Sequence, residues 1–306
     1  MKRLKFAGII FGFLFALLGL PNLPGAPRAA PAGWQQQSPF LPDLMAVWGS
    51  SARSVLAVGK MGTIIGYNGT KWAGMRNPVS QDLWGVWGSS EHDVFAVGSE
   101  STILHFDGKS WTAMPCPRGH LFLGVWGSSS RDVFSVGAAG AILHFDGETW
   151  TTMASNSASN LWNAWGSSAS NVFAVGDEGT ILHFDGRQWT RMNSGVTAQM
   201  LGIWGSSPTD VFAVGTKGAI LHFNGTEWAR MNVPFFSDFW SVWGSSSSDV
   251  YAVGTGGLII HYDGEKWTNM PNSSTTDLYA VWGSHAGGVF AVGAGSVILH
   301  LSPFAR

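Results

Sequence analysis

The chain has little charge, a single cysteine and no long hydrophobic segment beyond its N-terminus. Only 12% of its 306 residues are charged, and the formal net charge is −2. So few charges combined with 13% aromatic residues exclude a disordered chain. Cys116 alone excludes an internal disulfide framework, and no Cys and His spacing fits a structural zinc site. We therefore expect no metal and no cofactor, and one large or two small domains with a sizeable core.

The N-terminal segment has the layout of a secretory signal peptide. Lys2, Arg3 and Lys5 precede an apolar run over 6–20, and a Pro/Ala-rich stretch over 21–30 follows. The apolar run is shorter than the about 20 residues that a membrane span needs. We predict a signal peptide over 1–30, a folded domain over 31–306, and a secreted or periplasmic protein. Membrane association is expected only if the leader stays uncleaved.

The charge of the folded domain argues against nucleic acid as a partner. Residues 31–306 carry 13 Lys and Arg against 19 Asp and Glu, a net charge of −6. Affinity for nucleic acid comes mainly from neutralising phosphates, which needs a basic surface. A mildly acidic domain without a basic stripe excludes that function.

Tryptophan, by contrast, is abundant and strictly periodic. Trp-Gly-Ser recurs at one constant spacing, beginning at Trp48, Trp87, Trp126, Trp165, Trp204, Trp243 and Trp282. A second series follows the first at a constant offset, at Trp72, Trp111, Trp150, Trp189, Trp228 and Trp267. A third, sparser series comprises Trp84, Trp162 and Trp240, in alternate repeats. We interpret it as a trace of the duplication of a two-repeat unit rather than as a site. Trp34 is the one tryptophan left over.

Each repeat contains four short β-prone runs separated by Gly, Ser, Asp and Asn. In the second repeat we predict strands A to D at about 83–87, 93–97, 102–106 and 110–114. Four antiparallel strands in about 40 residues are typical of a propeller blade. The fold class is therefore all-β, a seven-bladed β-propeller of four-stranded antiparallel blades.

The two ends of the chain predict closure of the ring. The last repeat runs through strand C at 297–301 and lacks strand D. At the other end, Trp34 precedes Trp48 by nearly the same distance as the strand-D residue Trp72 precedes Trp87. An N-terminal strand around Trp34 is therefore predicted to complete the last blade and cover its open edge.

Positions that recur in most repeats are expected to be structural. Strand C contains a recurring histidine: His105, His144, His183, His222, His261 and His300. These residues lie on different blades, too far apart to share a metal ion. A structural hydrogen bond to a Ser or a backbone group is therefore favoured. Asp93 and its equivalents are expected to cap turn N–H groups. The two main Trp series are expected to pack between blades, with sugar-stacking shelves as the minor alternative.

The D–A links vary, and binding normally resides in variable loops on a rigid scaffold. Within these links, the candidate binding residues that interrupt a Ser, Asn and Pro background are Arg76, Arg118, His120, Phe235 and Phe236. A pair of exposed Phe residues would anchor a partner or ligand. The alternative, equally open, is that Phe235 and Phe236 cover the joint between blades. The B–C turns on the same face vary as well, at Lys60, Glu100, Asp177, Glu178 and Lys217.

The repeat, seen at 171–192 as NVFAVGDEGTILHFDGRQWTRM, resembles the WD40/YVTN/BNR-like β-propeller superfamily. It is particularly similar to the repeats of photosystem II assembly-factor-like proteins, over residues 31–306. The resemblance implies the fold but little about function, because propellers host binding, scaffolding and catalysis alike. Scattered Asp-Val-Phe, Gly and Trp residues also resemble bacterial seven-bladed propeller lectins.

Two classes of function stay open from the sequence. The first is a non-enzymatic scaffold that binds an unidentified protein partner through the variable loops and the channel mouth. The second is a multivalent lectin that binds a cell-surface glycan in Trp-lined clefts. An enzyme comes third, because no nucleophile–base pair and no cofactor motif emerges.

Overall fold

A computed structural model describes residues 33–37, 42–284 and 288–302. The predicted signal peptide over 1–30 lies outside the described residues. Within them, the strands form seven four-stranded antiparallel sheets, each built in the order A–B–C–D. This confirms the predicted all-β, seven-bladed propeller. No helix in the described part of the chain is long and apolar enough to cross a membrane.

The strand bounds repeat closely from blade to blade. The chain begins with β1 (Trp34–Gln36). Blade 1 contains β2 (Leu44–Ser51), β3 (Ser54–Gly59), β4 (Ile64–Tyr67) and β5 (Trp72–Gly74). Blade 2 contains β6 (Leu83–Ser90), β7 (Asp93–Gly98), β8 (Ile103–Phe106) and β9 (Trp111–Ala113). Blade 3 contains β10 (Phe122–Ser129), β11 (Asp132–Gly137), β12 (Ile142–Phe145) and β13 (Trp150–Met153). Blade 4 contains β14 (Leu161–Ser168), β15 (Asn171–Gly176), β16 (Ile181–Phe184) and β17 (Trp189–Met192).

The remaining three blades follow the same plan. Blade 5 contains β18 (Met200–Ser207), β19 (Asp210–Gly215), β20 (Ile220–Phe223) and β21 (Trp228–Arg230). Blade 6 contains β22 (Phe239–Ser246), β23 (Asp249–Gly254), β24 (Ile259–Tyr262) and β25 (Trp267–Asn269). Blade 7 contains β26 (Leu278–Ser284), β27 (Gly288–Gly293) and β28 (Ile298–Leu301). Short 3-10 turns join strands B and C in six blades, at Lys60–Gly62, Ala138–Gly140, Asp177–Gly179, Thr216–Gly218, Thr255–Gly257 and Ala294–Ser296.

Strand A is longer than the sequence predicted. In blade 2 it continues through the Gly-Ser-Ser segment to Ser90, which pairs with Asp93. The A–B connection is therefore a two-residue turn, Glu91-His92, and the Gly-Ser-Ser segment belongs to the sheet. Register shifts at Leu83/Gly85 and Gly88/Ser90 accommodate the extra length.

The closing strand is where the sequence predicted it. β1 pairs antiparallel with β28, with Trp34 opposite Leu301 and Gln36 opposite Leu299. The N–H of Gln37 extends the ladder by donating to the carbonyl of Ile298 at 2.7 Å. Trp34 is 7% exposed and packs in the core cluster between blades 6 and 7, with Tyr251 and Leu299. The N-terminal strand thus completes blade 7.

Strand B is buried along almost its whole length in all seven blades, because a neighbouring blade covers each of its faces. This explains its uninterrupted apolar sequence, since a strand buried on both faces does not alternate with polar residues. The core accordingly consists of clusters that each combine residues of two adjacent blades.

The Trp-Gly-Ser motif joins neighbouring blades. The six-membered ring of each motif Trp lies against the Gly of the same motif in the next blade, so that a Cβ added at Gly205 would lie 2.5 Å from Cη2 of Trp165. Only Gly leaves room for the indole. The pairs run around the ring and close it: Trp48–Gly88, Trp87–Gly127, Trp126–Gly166, Trp165–Gly205, Trp204–Gly244, Trp243–Gly283 and Trp282–Gly49.

The second Trp series fills the outer part of the same joints. Trp228 meets Phe173 of the preceding blade edge to face, with ring centroids 6.1 Å apart, while Trp165 stacks on the same Phe173 at 6.4 Å. The strand-D Trp side chains of blades 2 to 6 are 2–7% exposed. Both main series therefore pack between blades, as the sequence predicted.

Candidate functional site

The A–B and C–D turns share one face of the propeller, and this face is built almost identically in five blades. In blade 2, the Ser89 hydroxyl donates to Asp93 Oδ2 at 2.5 Å, and His105 Nε2 lies 2.7 Å from Asp93 Oδ1. The same Ser–Asp–His chain recurs in blades 3, 5 and 6. Blade 4 replaces the Asp with Asn171, which bonds Ser167 and His183. We name this surface the uniform face.

The recurring His and Asp are partners of each other, which corrects two expectations. Asp93 was expected to cap backbone N–H groups, but its carboxylate bonds the side chains of Ser89 and His105. His105 was expected to bond a Ser or a backbone group, but it bonds the Asp. The role is structural, as predicted, because the chain links strand C to the end of strand A through strand B.

This Ser–Asp–His chain is not arranged as a catalytic triad. In a triad the His lies between the Ser and the carboxylate, so that it takes the proton from the hydroxyl. Here the carboxylate lies in the middle, and both Ser89 and His105 bond to it. The His nitrogen in this network therefore faces a carboxylate and not the Ser hydroxyl. Nucleophilic catalysis gains no support from this network.

The pKa shifts in this network depend on whether an Asp or an Asn lies at its centre. In blade 6, the hydrogen bond from His261 lowers the pKa of Asp249, and burial opposes this shift. In blade 4, where the neutral Asn171 replaces the carboxylate, burial lowers the pKa of His183. A buried imidazole without a carboxylate partner favours its neutral form.

The opposite face carries the B–C turns and the D–A links, and we name it the variable face. Here a side chain that precedes strand A accepts a backbone N–H from the B–C turn of the preceding blade. Asp82 Oδ1 accepts the N–H of Met61 at 2.8 Å, and Asp238 Oδ1 accepts that of Lys217 at 2.8 Å. Asp277, Asp43 and Asn160 make the equivalent bonds to Gly256, Gly295 and Ala139. The four carboxylates among them therefore lie on the variable face in the consecutive blades 6, 7, 1 and 2.

The third Trp series lies at the mouth of the central channel on this face. The second residue of strand A is a large side chain in every blade: Met45, Trp84, Leu123, Trp162, Leu201, Trp240 and Tyr279. Two cavities lie along the axis, of 390 Å³ at the mouth and 230 Å³ below it. Six of the seven side chains line both cavities, and Leu201 lines the lower one alone. We interpreted these Trp residues as a trace of duplication without a role as a site. In the structure, Trp84, Trp162 and Trp240 all line the cavity at the mouth.

The mouth has three Trp rings and one Tyr ring, held by different contacts. Trp162 Nε1 donates to Asp177 Oδ1 at 2.7 Å, and Trp84 Nε1 donates to the Ser99 hydroxyl at 3.1 Å. Trp240 packs edge to face against Tyr279, with ring centroids 5.7 Å apart. Burial and the charges of Asp277 and Asp43 raise the pKa of Tyr279, so its phenol stays neutral.

The two predicted Phe residues have different environments. Phe235 is half-buried and packs against the core cluster between blades 5 and 6, together with Met231 and Val233. Phe236 is 85% exposed. Covering of the joint between blades, the second alternative stated for the pair, therefore holds for Phe235 alone. Phe235 covers the joint, and Phe236 presents its ring to solvent.

Phe236 stands between two open cavities on the variable face. The larger, of 860 Å³, lies between the D–A link of blade 4 and the B–C turn of blade 5, where Arg191, Lys217 and Arg230 line it. The second, of 520 Å³, shares Lys217, Arg230 and Phe236 with the first and extends over the D–A link of blade 5. We name these two cavities together the Phe236 groove.

The other predicted site residues lie elsewhere on the variable face. Arg76 is exposed in the link between blades 1 and 2. Arg118 and His120 line a 740 Å³ cavity in the link between blades 2 and 3, where the His120 ring packs on Phe122 at 5.7 Å. The five residues therefore share a face, but the structure does not bring them together into one cluster.

Cys116, in the same cavity as Arg118, is a poor nucleophile. Its thiol donates to the carbonyl of Ser101 at 3.1 Å, and burial raises its pKa. A thiol with a raised pKa is largely protonated at neutral pH and reacts slowly. Across residues 33–37, 42–284 and 288–302, no group of three or more His, Cys, Asp or Glu is placed to hold a metal ion.

Comparison with known proteins finds similarity in structure alone. No protein-family model matches the chain, and no curated protein matches it in sequence. The structure of YCF48 bound to a D1 peptide has a TM-score of 0.76 and 15% identity, covering 91% of this chain and 99% of that one. The WD40 β-propeller domain of Doa1 has a TM-score of 0.75 and 12% identity, covering 90% and 98%. Streptogramin B lyase has a TM-score of 0.77 and 14% identity, covering 87% and 96%.

At these identities the matches establish the fold and nothing finer. Together with the seven sheets and the closing strand, they confirm the resemblance that the repeat motif carries: this chain is a seven-bladed β-propeller similar to YCF48 and to WD40 propellers.

Proposed function

We propose that this protein is a non-enzymatic scaffold that binds a polypeptide partner through the variable face, with the Phe236 groove as its main contact. The exposure of Phe236 is the observation that carries the proposal. Among the described residues only Phe236 and Met61 are large hydrophobic side chains that are mostly exposed, and Phe236 stands between two cavities. An exposed aromatic ring beside concave surface is typical of an interface anchor.

The groove around Phe236 offers hydrogen-bond donors to a bound chain. Within the described part of the chain, Lys217 and Arg230 form no ion pair, and both line the two cavities. The Arg191 guanidinium donates to the Glu178 carbonyl at 3.4 Å. A partner segment that presents an apolar side chain together with carboxylates or backbone carbonyls fits this surface.

The fold supports this kind of role. YCF48, a propeller with the same architecture, has been solved bound to a peptide. The contrast between the faces adds support, since a network shared by five blades serves the scaffold, whereas the links that differ between blades are free to specify a partner.

A binding role without catalysis is the simpler proposal. Streptogramin B lyase, also a structural match, is named as an enzyme, so the fold alone excludes nothing. In this chain the Ser, Asp and His side chains that meet are ordered with the carboxylate in the middle. That order supports a structural role for them.

The carbohydrate-binding alternative rests on Trp-lined clefts repeated in each blade. Such a site needs an exposed indole face for a sugar to stack on. The strand-D Trp side chains of blades 2 to 6 are 2–7% exposed and packed against neighbouring Phe rings. No observation favours the lectin function over polypeptide binding. Calorimetry that finds several equivalent glycan sites per chain would reverse this preference.

We also propose that the protein acts outside the cytoplasm, secreted or periplasmic. The basic residues, short apolar run and Pro/Ala-rich stretch over 1–30 support export. N-terminal sequencing of the protein from its native host checks this. A mature N-terminus near residue 30 is expected, and a retained Met1 in a cytoplasmic fraction contradicts it.

The binding proposal is tested by partner capture with matched variants. The chain is immobilised as wild type, as Phe236→Ser and as Met61→Asn, and partners from the native extracytoplasmic fraction are quantified by mass spectrometry. Met61→Asn removes the other exposed hydrophobic side chain of the same face, and Asn tolerates its left-handed backbone. We expect Phe236→Ser to reduce recovery of one partner about tenfold, a loss of about 1.4 kcal/mol. Equal recovery on all three baits contradicts the proposal.

A further inference from the structure

We propose that the channel mouth binds the cationic side chain of a lysine or arginine presented by the polypeptide on the variable face. The inference rests on the proposed function in one respect, because a polypeptide must cross this face. It adds a second contact, at the propeller axis, with a different chemistry from that of the Phe236 groove.

The mouth has the lining of a cation site. Trp84, Trp162, Trp240 and Tyr279 border a 390 Å³ cavity. The faces of Trp and Tyr rings attract cations through the ring quadrupole, and Trp is the strongest of the aromatic side chains in this respect. Aromatic rings also pack well against the aliphatic stem of Lys or Arg, which keeps its charged end near water. A side chain with an apolar stem and a charged end fits a cavity of this composition.

Four carboxylates stand beside residues of the same cavity, on the side of the ring formed by the consecutive blades 6, 7, 1 and 2. Asp43, Asp82, Asp238 and Asp277 immediately precede strand A in blades 1, 2, 6 and 7, and each stands two residues before a residue of the mouth. The charges of Asp43 and Asp277 act on Tyr279, and that of Asp82 acts on Lys60. Negative potential at a cavity with low-dielectric walls is focused into it and attracts cations.

Asp177 strengthens the aromatic contribution directly. Its Oδ1 accepts the indole N–H of Trp162 at 2.7 Å and the Gln199 amide at 3.0 Å, and its Oδ2 accepts the Asn160 amide at 2.8 Å. All three donors are neutral, and no basic side chain of the described residues forms an ion pair with this carboxylate. A hydrogen bond from the indole to an ionised acceptor polarises the ring and makes its face more negative.

A lysine of the chain already occupies the edge of this environment. Lys60 lines the mouth, and its ammonium lies 2.8 Å from Asp43 Oδ2. The hydrogen bond that Lys60 donates to Asp43 raises the pKa of Lys60. Within the described residues Lys60 makes the one ion pair at the mouth between a basic residue and a carboxylate. Asp82, Asp177 and Asp277 accept hydrogen bonds from neutral donors and form no ion pair within the described residues, so a partner's cation is attracted by charges that no cation of this chain pairs with.

The test compares two acetylated and amidated peptides, Gly-Ser-Arg-Ser-Gly and the same sequence with citrulline, which has the shape of arginine without its charge. The full chain is labelled with ¹⁵N at its Trp indoles, and the Trp162 and Trp240 resonances are assigned with Trp162→Phe and Trp240→Phe. We expect the arginine peptide to shift both resonances saturably and the citrulline peptide to need at least tenfold higher concentration. Equal affinities, or shifts confined to other Trp residues, overturn the proposal.

Two variants test whether the charge of Asp177 determines the affinity for the arginine peptide. Asp177→Asn retains an oxygen acceptor for the Trp162 indole and the Gln199 amide, removes the charge, and loses the acceptor of the Asn160 amide. We expect it to weaken the arginine peptide several-fold and to leave the citrulline peptide unchanged. Arg187→Gln changes an exposed charge on the uniform face and should leave the affinity unchanged. An unchanged affinity in Asp177→Asn overturns the role of the carboxylates.

Failure of this inference is distinguishable from failure of the proposed function. If the arginine peptide does not bind the mouth but Phe236→Ser still loses the captured partner, the cation site is wrong and the binding face stands. If the peptide binds and Phe236→Ser retains the partner, the mouth is a binding site and the Phe236 groove is not.

Discussion

Adding one methyl group at Gly205 tests how the blades are joined. In Gly205→Ala the new Cβ would lie 2.5 Å from Cη2 and 2.7 Å from Cζ3 of Trp165, and 2.9 Å from the Asp210 carbonyl oxygen. The indole cannot retreat, because it stacks on the fully buried Phe173 at 6.4 Å. The carbonyl belongs to the paired strand and cannot move independently.

Overpacking of this kind costs about 1–3 kcal/mol. For a domain of this size that corresponds to a fall in melting temperature of roughly 2–5 °C. The assay is urea unfolding followed by Trp fluorescence, together with calorimetry. The matched control is Gly74→Ala, a strand-D glycine with nothing within 4 Å of the added methyl group, for which we expect a change within about 0.5 kcal/mol.

The same substitution in a Trp165 variant tests whether the Trp165 ring causes the clash. In Trp165→Phe the ring is smaller, so Gly205→Ala should cost less there than in the wild-type chain, a coupling that a double-mutant cycle measures. If Gly205→Ala is as stable as wild type, or if its cost is the same in both backgrounds, the Trp–Gly contact does not limit packing between blades and the reasoning fails.

Three further predictions concern the closing strand and the uniform face. Trp34→Ala should destabilise the chain by about 3–5 kcal/mol in urea unfolding, whereas Gln35→Ala, an exposed neighbour on the same strand, should change little; equal effects would contradict the closure. Asp210→Ala should cost about 1–3 kcal/mol by leaving two polar partners unsatisfied, but Asp210→Asn should cost clearly less, because blade 4 functions with Asn. The pKa of His183, measured by NMR, should lie below the usual range because burial lowers it. The chain therefore loses stability as pH falls below the unfolded-state pKa of about 6.5. Asn171→Asp should raise the pKa of His183, and an unchanged titration would contradict the pairing.

The repeat period made most of the fold predictable. The constant spacing of Trp-Gly-Ser indicated the number of blades, and the distance from Trp34 to Trp48 identified the closing strand, which pairs with the strand that ends at Leu301. These predictions succeed because every blade has the same arrangement of strands and turns. Seven copies of one repeat therefore identify its strands and turns more clearly than a single copy does.

Partners that lie in different strands of a blade were not predictable in the same way. Asp93 follows a Gly-Ser-Ser turn signal, so capping of the turn was the local interpretation. Its actual partner His105 is on strand C, and that pairing depends on the register between β7 and β8. Register is a tertiary property that spacing alone does not define.

The candidate site was partly predictable. The variable face followed from comparison of the links, and Phe236 is exposed on it, but Phe235 next to it is half-buried, which the sequence left open. The channel mouth was missed because only three of the seven side chains at the second position of strand A are Trp. The available signal was the whole column, in which Met, Leu and Tyr alternate with Trp at the second position of strand A.

The central claim is that partners bind the variable face, and hydrogen–deuterium exchange of the chain with and without its captured partner tests it most directly. The account predicts slower exchange over residues 191–198, 216–218 and 230–236, which line the Phe236 groove, and unchanged exchange at the A–B and C–D turns. Protection confined to the turns of the uniform face would contradict it.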